Sequence, residues 1–207
     1  MSLVLSGSTS GSVTLQEPAI SGTTVLDLPA TSGNVVVDSA TQTLTNKTIE
    51  GGTVISGTAV ASTSGTSIDF TSIPSWVKRV TVMFSGVSTN GSSNYLMQLG
   101  TGGSVTTSGY VSASGRVYSG TNVNTSTAGF ILGWDAAAFA SQGSISFSNL
   151  SGNIWVASGT VSSTASTPLA ILVGGTVTLS GVLDRVRITT VNGTDTFDAG
   201  SINILYE

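Results

Sequence analysis

The sequence predicts an all-β protein: an extended, β-rich N-terminal stem followed by an antiparallel β-sandwich or jelly-roll-like tip. Three observations predict it. From Thr66 onward apolar residues recur at every second position, the period that puts alternate side chains on opposite faces of a sheet. Gly, Ser and Asn-Gly turn signals separate these runs at short intervals. Before about Ser62 the chain is instead made of short apolar blocks spaced by Ser-Gly and is free of aromatic residues. A chain of 207 residues suits a small tip with a slender stem, so we divide it at 61/62, with a joint at residues 41–52.

In the stem, Ser10-Gly11, Ser21-Gly22 and Ser32-Gly33 recur every eleven residues, and Pro18-Ala19 and Pro29-Ala30 keep the same spacing. Repeats matter because each unit relies on its neighbours to bury its apolar side. Here the units are Val13-Thr14-Leu15, Val25-Leu26-Asp27-Leu28 and Val35-Val36-Val37. They are too short to build a core alone, so the stem needs a partner: the tip, or identical stems wound on a common axis. β-Branched residues with Gly and Pro punctuation oppose a coiled coil, which would show heptad spacing. Val54–Ala61 continues the stem's style.

In the tip, Val80, Val82 and Phe84 alternate with Arg79, Thr81, Met83 and Ser85, and Tyr95, Met97 and Leu99 alternate with Leu96 and Gln98. Asn90-Gly91 between the two runs predicts a hairpin, because both residues tolerate positive φ. Further strands are expected near 105–113, 128–134, 144–149, 153–161, 169–179, 183–191 and 201–206. Asp135–Gln142, with three consecutive alanines, predicts the one short helix. Eight or more short strands at this spacing argue for two sheets over a shared core.

Composition narrows the function. Only 8% of residues are charged, against roughly 25% in a typical soluble domain, so the polar surface must be Ser, Thr, Asn and Gly. Six basic residues and a net charge of −4 give no footprint for nucleic acid, which needs clustered Lys and Arg. The N-terminus lacks a basic region and a long apolar core, so no secretory signal is read. The longest plain apolar run, Leu169–Val173, is too short to span a bilayer. A soluble protein made in a cytoplasm, with no membrane insertion, is expected.

Without His or Cys, the chain has no Ser-His-Asp triad, no Cys-His pair and no usual zinc site; no enzyme activity, metal or cofactor is expected. Asp69, Asp135, Asp184, Asp195, Asp198 and Glu207 are the carboxylates a glycan depolymerase would draw on, but no two sit in an aromatic cluster. Asn192, Asp195 and Asp198 have the oxygen chemistry for calcium; bonding to their own backbone is the plainer reading. Lys78-Arg79 with Arg185 and Arg187 would form a basic patch if their strands were neighbours, with Asp184 and Asp69 at hand to neutralise it. Trp76, Trp134 and Trp155 are expected in or beside the core, or at a subunit contact. The polar stretch from Tyr110 to Ala128, with Arg116, Tyr118, Asn122 and Asn124, is the candidate recognition loop, since planar amides and aromatic faces suit glycans and loops on rigid scaffolds carry binding.

Leu44-Thr45-Asn46-Lys47-Thr48-Ile49, preceded by the Ser-Gly-spaced blocks, resembles the stem of bacteriophage tail-fibre and head-fibre proteins. Asp69-Phe70-Thr71-Ser72-Ile73-Pro74, leading into Trp76–Val82, and the ending Phe197–Glu207 resemble the β-structured tips of such fibres. The resemblance implies a virion protein assembled in the host cytoplasm, a homotrimer that attaches to another tail or capsid protein through residues 1–40. Val13, Leu15, Val25, Leu26 and Leu28 are the attachment candidates. It also implies that the tip contacts a host-surface glycan or protein. The alternative is a capsid decoration protein or head fibre that braces or ornaments the shell, and a depolymerase stands third.

Overall fold

The computed structural model describes residues 2–6, 12–16, 54–117, 123–133, 137, 139–164 and 169–207. The joint at 41–52, the attachment candidates Val25, Leu26 and Leu28, most of the eleven-residue repeat and Trp134 lie outside these residues. The chain divides into two compact units, Met1–Thr48 and Ile49–Glu207. In the first, β1 (Ser2–Ser6) and β2 (Ser12–Gln16) form an antiparallel pair that sets Val13 opposite Leu5 and Leu15 opposite Leu3.

The second unit is all-β among its described residues, with two antiparallel sheets. The larger has nine strands. Its path runs from β10 (Val123–Ser126) through β9 (Val111–Arg116), β14 (Leu169–Thr178), β13 (Ile154–Ser163), β12 (Ser141–Ser151), β6 (Arg79–Thr89) and β16 (Phe197–Tyr206) to β3 (Ile55–Ser56), with β4 (Val60–Ala61) also on β16. The smaller orders β11 (Phe130–Leu132), β7 (Tyr95–Thr101), β15 (Leu183–Thr190) and β5 (Ser67–Thr71), with β8 (Ser104–Val105) on β7.

The period-two pattern explains how the sheets pack. Val80, Val82, Phe84, Ile145, Phe147, Val161 and Ile171 of the large sheet and Met97, Leu99, Val186 and Ile188 of the small one are buried in a single core, facing each other as a sandwich. Three ring contacts cross the gap. Phe130 of β11 stacks on Phe147 of β12 at 5.2 Å and takes Tyr110 edge-on at 5.0 Å, while Tyr95 of β7 stacks on Phe197 of β16 at 6.0 Å.

Four expectations need correction. Asn90-Gly91 does not close a hairpin: β6 is paired on both sides, by β12 and β16, and leaves β7 no edge, so the chain crosses to the other sheet. Neither residue has positive φ. Glycine at 91 makes room for the Asp195 carboxylate, which a Cβ there would displace. Second, the expected helix does not extend over its C-terminal end: Asp135, Ala136 and Ala138 lie outside the described residues, and Ser141 and Gln142 begin β12, which pairs with both β6 and β13. Two ladders outweigh a helical segment too short to repay its nucleation. Third, Leu96 and Gln98 are buried although they face away from the sandwich, because Thr127–Gly129 crosses over them and Gln98 Nε2 donates to Ala128 O at 2.9 Å.

The fourth correction concerns the division at 61/62. Val54–Ala61 belongs to the second unit, since β3 and β4 pair with β16. Ser62, placed at the boundary, is fully buried, its Oγ donating to Ala199 O at 2.7 Å and its N–H to Gly200 O at 2.9 Å. These pairs occupy the edge β16 would otherwise expose, and uncovered edges invite pairing with other chains. A chain beginning at Ile49 should therefore melt as the full-length tip does. One beginning at Ser62 should melt lower and aggregate on heating, as followed by circular dichroism and light scattering; equal melting of the two would show that β3 and β4 contribute nothing.

Candidate functional site

The predicted recognition loop is largely a β-hairpin: Val111–Arg116 and Val123–Ser126 pair in register, Gly115 opposite Val123 and Ala113 opposite Thr125. Tyr110 is a core residue, 1% exposed. Its hydroxyl accepts from Leu99 N at 2.8 Å and lies 3.3 Å from Leu99 O, to which it donates. Burial pushes its pKa up to about 12, and desolvation does the same to Tyr95. Asn124 is occupied inside the fold, accepting from Asn94 Nδ2 at 3.2 Å with its own Nδ2 packed over Gly133. Arg116 ends β9, half-buried, opposite Ile171 of β14. Tyr118 and Asn122 lie outside the described residues. Tyr110 is thus taken up by the core and is not presented to a ligand, whereas Asn124 is half-buried on the edge strand β10.

The hairpin's main task is to close the sandwich. β11 has a ladder partner on one side only, β7. On its other side the N–H groups of Ile131 and Gly133 donate to Ser112 Oγ and Ser114 Oγ, both at 2.9 Å, so two buried serines of β9 stand in for a strand.

What β9 presents outward is different. Its outward residues, Val111, Ala113 and Gly115, meet Thr176, Gly174 and Leu172 of β14, and Thr125 and Val123 of β10. Small residues make a floor, and exposed Val111, Val123 and Leu172 stand around it. The result is a depression of about 650 Å³ over Ala113, Thr125 and Gly174, continuous with one of about 490 Å³ over Gly115, Val123 and Leu172.

A third depression, of about 360 Å³, lies at the other end of the same sheet face, between Val54, Arg79, Thr81, Ser146 and Leu205. Arg79 there pairs with Glu207, and Thr81 and Ser146 share a hydrogen bond of 2.9 Å. At this end of the strands Trp76 is half exposed, its ring 6.0 Å from Tyr206, whereas Trp155 is buried in the core.

Every described carboxylate of the tip is engaged. Asp69 takes two bonds from Arg187, at 2.7 and 2.8 Å, which raise the pKa of the guanidinium. Burial pushes the Asp184 carboxyl up, but hydrogen bonds from Arg185 and the Gly103 N–H outweigh it and hold it below the usual value. Asp198 accepts from Ser88, and Asp195 from Ser93 N and Asn192. Asn192 Oδ1 in turn accepts from Thr190 Oγ1 and from the N–H of Thr194 and Asp195, a turn bonded to its own backbone. The arginines of β6 and β15 lie in different sheets and form no joint patch; Arg185 and Arg187 are paired by Asp184 and Asp69.

Two measurements follow from the buried hydroxyls. Ser114→Ala leaves the Gly133 N–H without its partner, a loss of about 1–3 kcal/mol, to be read by urea unfolding against an exposed control such as Ser158→Ala. Both tyrosine pKa values are raised from 10.0, so their stabilisation is complete below pH 10 and is lost as pH climbs through about 12. Unfolding free energy should fall there by about 1.4 kcal/mol per pH unit for each tyrosine. Tyr110→Phe should remove one of the two contributions to that slope; an unchanged slope would show that Tyr110 ionises freely in the fold. No family model, characterised protein or solved structure matches the chain.

Proposed function

We propose that this chain is a non-enzymatic structural protein of a bacteriophage virion, a short oligomeric fibre. In this reading the N-terminal unit attaches to another virion protein and the sandwich tip is presented toward the host surface. One observation of the fold supports it: from β6 to β10 the central outward rows of the large sheet, Thr81 to Thr125 and Met83 to Val123, carry no charge and nothing larger than Met or Leu, a surface suited to protein neighbours rather than to open solvent. The fibre-like residues Leu44–Ile49 and Phe197–Glu207 supply the class of particle. Tip ligands in this reading are host-surface glycans or proteins. They would be held by shape and hydroxyl contacts, since the described carboxylates and the arginines of β15 are already bonded within the chain, to each other, to Arg79, to polar side chains or to the backbone.

Labelling the C-terminus with gold on intact particles tests the assignment. Label at the tail supports the host-recognition fibre, whereas label spread over the head gives the shell-bracing decoration protein in its place. Particles assembled with a chain lacking residues 1–48 should carry no tip; a tip still incorporated would mean that attachment does not run through the N-terminal unit.

A further inference from the structure

The geometry points to the outer face of the nine-stranded sheet as the surface on which copies of this chain meet. The inference rests on the oligomeric-fibre reading above and adds the face that carries it. Five consecutive register pairs align Thr81, Ser146, Ser158, Gly174, Ala113 and Thr125 in one row across six strands. A neighbouring row aligns Met83, Ser144, Thr160, Leu172, Gly115 and Val123. Neither row contains an ionisable side chain, and nothing in either is larger than Met or Leu.

The outer face of the smaller sheet contrasts with it. There Asp69 and Arg187 face each other across β5 and β15, beside Arg185 and Asp184. The other described charges sit at the ends of strands or in turns: Lys78, Arg79 and Glu207 at one end, Asp195, Asp198 and half-buried Arg116, the last residue of β9, at the other. A solvent face of a monomer ordinarily carries both signs of charge at roughly a quarter of its positions. The two charge-free rows are therefore a property of the middle of this face, with Arg79 of the next row paired to Glu207 at its edge.

A second copy is the occupant that this chemistry fits. Hydroxyls donate and accept alike, so a Ser/Thr face is complementary to itself, and the aliphatic group of Val111, Val123 and Leu172 gains by meeting its equivalent. With a net charge of −4, copies approaching elsewhere meet like charge; here they meet none. A nucleic acid or an acidic polymer would find nothing on this face to pair with. The extent also suffices: seven strands of four to eleven residues, spaced at about 4.8 Å and rising about 3.3 Å per residue, cover roughly 900 Å². A standard interface needs roughly 800 Å² from each partner.

The test places a charge at the centre of the face in the full-length chain. Gly174 has open space where a Cβ would stand, and its cross-strand partner Ser158 is exposed, so Gly174→Glu and Ser158→Glu each leave the core untouched. Thr71→Glu adds the same charge to the exposed face of β5 and is the control. Solution mass is read by light scattering over a concentration series, with the near-ultraviolet signal of buried Trp155 reporting the fold.

The expected result is a wild-type and Thr71→Glu mass above that of one chain. Both face variants should keep the Trp155 signal and self-associate at least about tenfold more weakly. Assembly unchanged in both folded variants overturns the face while leaving the fibre reading in place. Equal weakening by Thr71→Glu also overturns it. A wild-type chain of single-chain mass at every concentration overturns the face together with the oligomeric reading, as it would if the face served a different partner.

Discussion

The seam beside β11 is closed by side chains where a strand would otherwise be needed, and the sandwich depends on it. β11 is three residues long with one ladder partner, and a strand that short does not hold two sheets together by its backbone. Ser112 and Ser114 take the N–H groups of Ile131 and of Gly133 just past the strand, and Phe130 sits between Tyr110 and Phe147, so this short segment ties the small sheet to both β9 and β12. Buried N–H groups without partners are strongly disfavoured, which is why serines occupy inward positions that the neighbouring strands fill with Ile and Val. Tyr110, placed by its residue type among possible glycan contacts, is part of this closure.

The parts of the fold legible in the sequence are those fixed by neighbours along the chain. Alternation at Val80–Phe84 and Tyr95–Leu99 correctly assigned strand and inward face, because period two is a local property. Pairing between distant strands was not legible. Asn90-Gly91 carried a hairpin's turn chemistry, yet whether β7 joins β6 depends on β12 and β16, far away in sequence, having taken both its edges. Gly91 itself answers to Asp195, about a hundred residues on. The outer face escaped for the same reason: Ala113, Gly174 and Ser158 are unremarkable singly, and only the β9–β14–β13 register lines them up. A run of small outward residues in each of several strands was the available signal, and it acquires meaning only once strand order is known.

Low charge and high order are reconciled by the same arrangement. With few Lys, Arg, Asp and Glu, solubility and specificity rest on where those few are placed. The described structure concentrates them on the small sheet and at the strand ends, where Asp195 packs against Gly91 and accepts from Ser93 N and Arg79 pairs with Glu207. Loops at both ends of the sandwich are stitched in this way by polar side chains. Thr196 N also donates to Asn90 Oδ1, and Lys78 N to Glu207 O. The middle of the large sheet's outer face is left with hydroxyls, small residues and a few aliphatic side chains.

The short strands at the entrance to the tip give the protein a mechanical fuse. Tension transmitted along the backbone from the N-terminal side reaches the sandwich at Val54 and bears first on two two-residue strands held to β16, the pairs Ile55–Tyr206 and Ser56–Leu205 before Val60–Ile202 and Ala61–Ser201. Ser62, buried and bonded through both its hydroxyl and its amide, is the stop behind them. A pull can therefore unzip Val54–Ala61 and lengthen the chain before any force arrives at the aromatic seam. Slack is released at the entrance while the sandwich keeps its shape.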